Sequence, residues 1–269
     1  TASKVTAMGS IERWDGNRAS GVLNAIKCTN RAVDMAKTYG MGLVALRNTN
    51  HWMRGGTYAW QAAEKGCISI LFTNTTPNMP AWGGKENRIG NNPLVIGIPR
   101  KNGHVVLDMA LSQYSFGKMQ SLALNDQDLP FDGGWDNDGN LSKDPKAIID
   151  SGKALPVGYW KGSALSMILD MLATLLSAGN STYKIGLEKD ETALSQVFLC
   201  IDPSTFKDTE IQEKLLNEII GFAHDSSPIS KGDRTYYPGE RTLKQRSKSI
   251  KEGMQVNTVI WKKIHELIA

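Results

Sequence analysis

The sequence is short of cysteine. Its 269 residues hold only Cys28, Cys67 and Cys200, with no C-x-x-C pair. That spacing excludes a disulfide framework and a structural zinc site. Cys67 and Cys200 adjoin apolar runs and read as small core residues. A reducing cytosol is the expected compartment. A charge excess is lacking too, since 31 basic against 27 acidic residues leave +4. Only 244–251 is locally basic. With no aromatic platform beside it, that stretch reads as a solvated helix face, and no nucleic-acid partner is expected. Long hydrophobic runs are absent as well. The longest, 164–178, is broken by Ser166 and Asp170 and is too short to cross a bilayer. No secretory signal is recognisable, so the expectation is a cytoplasmic protein without membrane association. The chain opens at Thr1 without a methionine, which suggests a fragment or a processed form.

Several motifs are missing. There is no P-loop and no G-x-S-x-G elbow, and the four histidines show no metal-ligand spacing. Gly40-Met41-Gly42-Leu43-Val44-Ala45 matches G-x-G-x-x-A, but it follows a helical pattern and opens a strand. A dinucleotide fingerprint needs the reverse order, so a Rossmann unit is excluded here. Asp136-Asn137-Asp138-Gly139-Asn140 begins like a calcium loop. Leu141 and Ala147 occupy the sixth and twelfth positions, where glycine and glutamate are required, so it reads as a turn.

What is present is an α/β pattern. Residues 4–14 alternate loosely and end at Asp15-Gly16. Residues 18–39 have helical spacing and stop at Gly40. Strand 42–46, helix 55–65 and strand 67–73 read as a parallel βαβ unit. Residues 93–99 and 104–109 pair through Asn102-Gly103, a strong hairpin signal. Residues 112–125 read as helical and 126–156 as irregular. Helix 162–178 is apolar on most sides and is expected to be buried on most of them. A strand at 196–201, an amphipathic helix at 208–224 and two surface helices follow. The fold class is α/β, a mixed sheet with surrounding helices.

Three places could carry chemistry. His51 lies just past the first strand of the βαβ unit, with Asn50 and Arg54 near it, and Asn74-Thr75 follow the second strand. Ligands in open α/β sheets bind at that side. A loop histidine without a role is the competing reading. Tyr159-Trp160-Lys161-Gly162-Ser163 precedes the apolar helix, where unpaired N–H groups, a lysine and a flat indole suit a phosphate-bearing nucleotide. A snorkelling lysine beside a boundary tryptophan accounts for it equally. Asp108 ends a strand in apolar surroundings and needs hydrogen-bond partners, either backbone N–H groups or a ligand, and a cap for the helix that follows accounts for it equally.

These stretches resemble the type-2 malate/L-lactate dehydrogenase family, which includes ureidoglycolate dehydrogenase. The likeness is carried by GLVALRNTNHWMRGGTYAWQAAEKG at 42–66, FTNTTPNMPAWGGKENRIGNNPL at 72–94, LPVGYWKGSALSMILDMLATLLS at 155–177 and YPGER at 237–241. It implies one family domain over 1–269, with a non-Rossmann NAD(P)-binding fold, its nucleotide-binding part near 67–200, working as a homodimer. It implies hydride transfer between NAD or NADP, NADH favoured, and a small 2-keto or 2-hydroxy acid. By position, cofactor contacts fall on His104, Val105, Val106, Leu107, Asp108, Met109 and Ala110, on Trp160 and Lys161, and on Gly239, Glu240 and Arg241. His51 falls on an acid/base position and Thr75 on a substrate contact. Some relatives place a histidine before the glutamate of the last motif; here Glu240-Arg241 stands. The family also carries a preceding helical segment with a Ser-His-Gly motif and an arginine, absent from these residues.

The implied mechanism is carbonyl reduction with His51 as proton donor. Arg47 or Arg54 is expected to hold the substrate carboxylate, with Asn74 and Thr75 beside it. The alternative is a truncated or degenerate relative that binds nucleotide without turnover. A metal-dependent lyase is disfavoured for want of ligand spacing.

Overall fold

Ser20 and Gly40 punctuate the first helix. The Ser20 hydroxyl accepts from the Leu23 N–H, and Gly40 takes φ 86°, where a side chain would be strained. The computed structural model describes residues 1–268. Its helices are α1 (Gly21–Tyr39), α2 (Gly56–Glu64), α3 (Phe116–Ala123), α4 (Pro145–Ser151), α5 (Trp160–Ser177), α6 (Thr182–Ile185), α7 (Thr209–His224), α8 (Glu240–Glu252) and α9 (Thr258–Ile268). Seven strands form the main sheet: β1 (Ser3–Met8), β2 (Ile11–Asp15), β3 (Met41–Thr49), β4 (Ile68–Thr73), β5 (Leu94–Ile98), β6 (Val105–Met109) and β7 (Leu194–Ile201).

The spatial order is β1-β2-β3-β7-β4-β5-β6. Only β2 and β3 pair in parallel; the other neighbours are antiparallel. The expected mixed sheet is borne out, but the βαβ unit needs correction. β3 and β4 run in one direction without touching, because β7 lies antiparallel between them. Both strands still deliver their carboxyl ends to one side of the sheet.

Strand alternation sends neighbouring residues of β7 to opposite faces. Phe198 joins Trp52, Tyr58, Met35 and Leu71 under α1 and α2, whereas Val197 joins Phe72, Leu111, Leu169 and Ala173 under α5. Residues 4–14 form a hairpin turning at Gly9 (φ 58°) rather than a single strand. The stretch 126–156 is more ordered than its composition indicates. It holds α4 and three two-residue strands, 134–135, 141–142 and 153–154.

The largest correction concerns α5. Only a narrow stripe, including Gly162, Ser166, Leu169, Ala173 and Ser177, seats on the sheet. Ile168, Met171 and Leu175 are 50%, 50% and 71% exposed. The helix is apolar all round, but the chain supplies cover for one side only. The stripe of α7 behaves likewise: Ile220 is buried, while Ile211, Leu215 and Ile219 are exposed.

Candidate functional site

The loop after β3 is held from several directions. Asn48 and Met53 take positive φ of 55° and 64°. Non-glycine residues rarely adopt such angles unless the surroundings over-determine them. The surroundings are plain. Trp52 is buried, its ring 5.8 Å from Tyr58 and 5.9 Å from Phe198. The Tyr58 hydroxyl donates to the Trp52 carbonyl at 2.6 Å, and Gln196 Nε2 donates to the Asn50 carbonyl at 3.3 Å. Gly21 at the start of α1 lies so close that a Cβ there would stand 2.1 Å from the Asn50 oxygen.

On this loop His51 is half-buried, and its Nδ1 accepts the Met53 N–H at 3.0 Å. A ring nitrogen that accepts carries no proton, so the neutral imidazole is protonated on Nε2. The ring therefore presents Nε2–H as a donor, the group that hydrogen-bonding a carbonyl oxygen requires.

The neighbouring candidates divide. Arg47 donates through Nε to Asp15 at 3.0 Å, and Asp15 also accepts from the Asn17 N–H and from Asn48. Burial opposes charge on Asp15, but these hydrogen bonds outweigh it and hold the carboxyl below its ordinary value. Arg47 lines a cavity of about 280 Å³ with Lys184 and Asn180. Asn74 is fully buried: its amide donates to Asp170 and to the Asn180 carbonyl, and its oxygen accepts from the Ser195 N–H. Thr75 is buried as well, its N–H bound to Asn92. Both residues tie β4 to its surroundings. Thr49 and Thr73 pair with residues 194 and 196 of β7, so the strands leading to His51 and Asn74 leave the same end of the sheet, two strand spacings or roughly 10 Å apart.

The segments expected to meet a nucleotide lie along the edge strand β6. At its start the Val106 N–H donates to the Pro238 carbonyl at 2.8 Å, and Gly239 (φ 94°) comes so near that a Cβ would stand 3.0 Å from the Val106 nitrogen. Past its end the Leu111 carbonyl accepts from Val157, three residues before Trp160 and Lys161 open α5. Trp160 is 61% exposed, and among the described residues no acidic side chain pairs with Lys161. A cavity of about 320 Å³ lined by Val106, Leu107, Asp108 and Gly239 shares Arg54, Trp60 and Thr242 with a second of about 650 Å³ between α1, α2 and α8.

Asp108 is the hinge of the arrangement. Its Oδ2 accepts the Gly56 N–H at 2.8 Å, at the start of α2, and lies 3.9 Å from Arg54 Nε. It caps a helix, as the sequence allowed, but the one 52 residues earlier rather than the one that follows. His104 turns inward: Nδ1 accepts the Arg100 N–H, the ring sits 5.5 Å from Trp60, and burial pushes the imidazole below its ordinary value. The Glu240 carboxylate is engaged by Arg234, His224 and the Tyr237 N–H, and the Arg241 guanidinium lies over the Tyr236 ring. Trp60, Thr242 and Gln196 were not singled out by the sequence. Nothing local marks them, since their partners are distant in the chain.

Residues 1–265 match the malate/L-lactate dehydrogenase family, and the chain belongs to it. It is thereby an oxidoreductase. It is 43% identical over 265 residues to 2,3-diketo-L-gulonate reductase of Citrobacter koseri, a match covering 98% of this chain and 80% of that protein. Malate dehydrogenase from Entamoeba histolytica superposes with a TM-score of 0.92 at 26% identity, covering 99% of this chain and 78% of that one. Delta1-piperideine-2-carboxylate reductase from Pseudomonas syringae gives 0.83 at 25% identity, over 99% and 80%.

Proposed function

We propose that the protein reduces the keto group of a 2-keto acid with a nicotinamide nucleotide, NADH preferred, and that 2,3-diketo-L-gulonate is the substrate. The substrate reading is supported by the name of the 43% identical relative. The observation that carries the mechanism is the Gly56–Asp108 bond. It fastens the loop bearing His51 to the edge strand along which the proposed cofactor segments are strung.

The residues present suit a dinucleotide. The Gly239 approach leaves room where any side chain would crowd Val106. Arg54 and Arg246 line the joined cavities, and Lys161 stands at a helix N-terminus, where anions are favoured. When bound, the nucleotide supplies a hydride to the keto carbon. The chain's own residues do the rest. The Lys161 ammonium holds negative charge at one end, since the Lys161, Gly162 and Ser163 amides, expected to be unpaired, are bound to the Gly158, Val157 and Tyr159 carbonyls, and the Val106–Gly239 contact shapes the other. His51 Nε2–H hydrogen-bonds the carbonyl oxygen and supplies its proton. Giving up that proton as an imidazolium requires releasing the Met53 amide, because Nδ1 then carries a hydrogen too. Arg54, 61% exposed by side chain and close to Asp108, anchors the substrate carboxylate.

The protein is further proposed to work as a cytoplasmic homodimer. The three free, buried cysteines suit a reducing compartment, and the apolar outer side of α5 supplies a surface of the kind subunits cover. The test is a panel of 2-keto acids with NADH and with NADPH. Oxidation of either nucleotide with diketogulonate at the highest kcat/KM supports the reading. A protein that binds nucleotide and turns over no keto acid sinks it.

A further inference from the structure

Glu240 has little left to offer a ligand. Arg234 holds Oε1, while Oε2 accepts the Tyr237 N–H at 3.2 Å and meets His224 Nε2 at 3.1 Å. The carboxylate is only 18% exposed. A negative group in a nucleotide cleft also repels phosphates. What Glu240 does hold is the turn between Tyr237 and itself. Inside that turn lie Pro238, whose carbonyl accepts the Val106 N–H, and Gly239, pressed against Val106. The Tyr237 ring is flanked by the Arg100 guanidinium at 5.4 Å and the His224 ring at 6.1 Å. Arg100 is itself fixed by Asn217 at 3.0 and 2.8 Å. The turn is thus tied both to α7, through His224 and Asn217, and to the β5–β6 hairpin, through Arg100 and Val106. Val106, Pro238 and Gly239 line one wall of the 320 Å³ cavity.

We infer that Glu240, with Arg234 and His224, is a positioning clamp that keeps the Pro238–Gly239 turn on the edge strand and so shapes the nucleotide side of the cleft. Glu240 is then not a nucleotide ligand, although its place in the YPGER stretch suggests one. The functional consequence rests on the nucleotide reading above; the clamp itself does not.

The test reads both separately. Amide exchange at Val106 is followed in nucleotide-free protein for the wild type, Glu240→Ala, Glu240→Gln and Arg234→Ala. A clamp predicts Val106 exchange about tenfold faster in Glu240→Ala and Arg234→Ala, with most protection restored in Glu240→Gln, whose amide oxygen still accepts from Tyr237. In turnover assays the nucleotide KM rises about tenfold in the two alanine variants while kcat falls far less. Unchanged Val106 protection in Glu240→Ala, with or without weaker nucleotide binding, overturns the clamp. If the wild type binds neither NADH nor NADPH, the nucleotide reading fails, and the exchange data still decide the clamp.

Discussion

The Met53 backbone N–H donates to Nδ1 of His51 at 3.0 Å. Met53 itself sits at φ 64°, in the left-handed region. The remaining nitrogen is then the working one. Replacing His51 by alanine is expected to slow turnover by about 10²- to 10⁴-fold, the usual contribution of a general acid. Nucleotide binding, titrated by fluorescence, should change little. Turnover at the wild-type rate would remove His51 from the mechanism.

Asp108 acts on a helix far upstream. Asp108→Ala deprives α2 of its cap at Gly56 and should cost about 1 kcal/mol. The urea midpoint reports it, with an unchanged m-value. Asp108→Asn keeps an acceptor for the Gly56 amide and should lose distinctly less. Equal losses in the two variants would assign the effect to the charge contact with Arg54 instead.

Acid stability should depend on Glu12. This buried carboxylate receives both Arg31 bonds, at 3.0 and 2.6 Å, and the Trp14 indole N–H at 2.9 Å. The Arg31 hydrogen bond outweighs burial and holds its pKa below the ordinary value. The folded state therefore takes up the proton less readily than the unfolded chain. The stabilisation is complete above the unfolded value, roughly 4.3, and is lost as pH falls through the lower folded value. Asp15 and Asp202, both also lowered, steepen the decline. Glu12→Gln should be less stable at pH 7 by roughly 1–3 kcal/mol, and its urea midpoint should fall less between pH 5 and 3. Parallel curves for variant and wild type would contradict this.

If two copies meet over the outer side of α5, as the proposed homodimer has it, a charge there should separate them. Ile168 and Met171 are each half exposed, and neither seats on the sheet. Ile168→Asp or Met171→Asp is expected to shift sedimentation from dimer to monomer while leaving the circular dichroism spectrum unchanged. A wild type that sediments as a monomer at every concentration would show that α5 is not the subunit contact.

Local order was legible wherever a residue acts on its own neighbourhood. Ser20 and Gly40 bound α1, and Asn102-Gly103 turns the β5–β6 hairpin as its composition requires. His51 was placed correctly at a strand end because an apolar run stopping at a polar loop is itself a local event. Strand order was not legible. Nothing in 67–73 says that its neighbour comes from 194–201. Arg47 and Asn74 illustrate the same limit within the site: their types suit a substrate, but Asp15 and Asp170 reach them from distant segments. The apolar pattern of α5 gave its helical state, while its cover depends on what else the protein meets.

The insertion of β7 between β3 and β4 bears on the order of assembly. The strand ends that carry His51 and Asn74 can be joined only by residues 194–201, well over a hundred positions beyond β4. During synthesis both inner edges emerge from the ribosome unpaired and wait for that late strand. Such distant pairing is slow, and open strand edges invite misassociation. A nascent chain halted before residue 194 should therefore be cut readily by protease, and one released past residue 201 should resist.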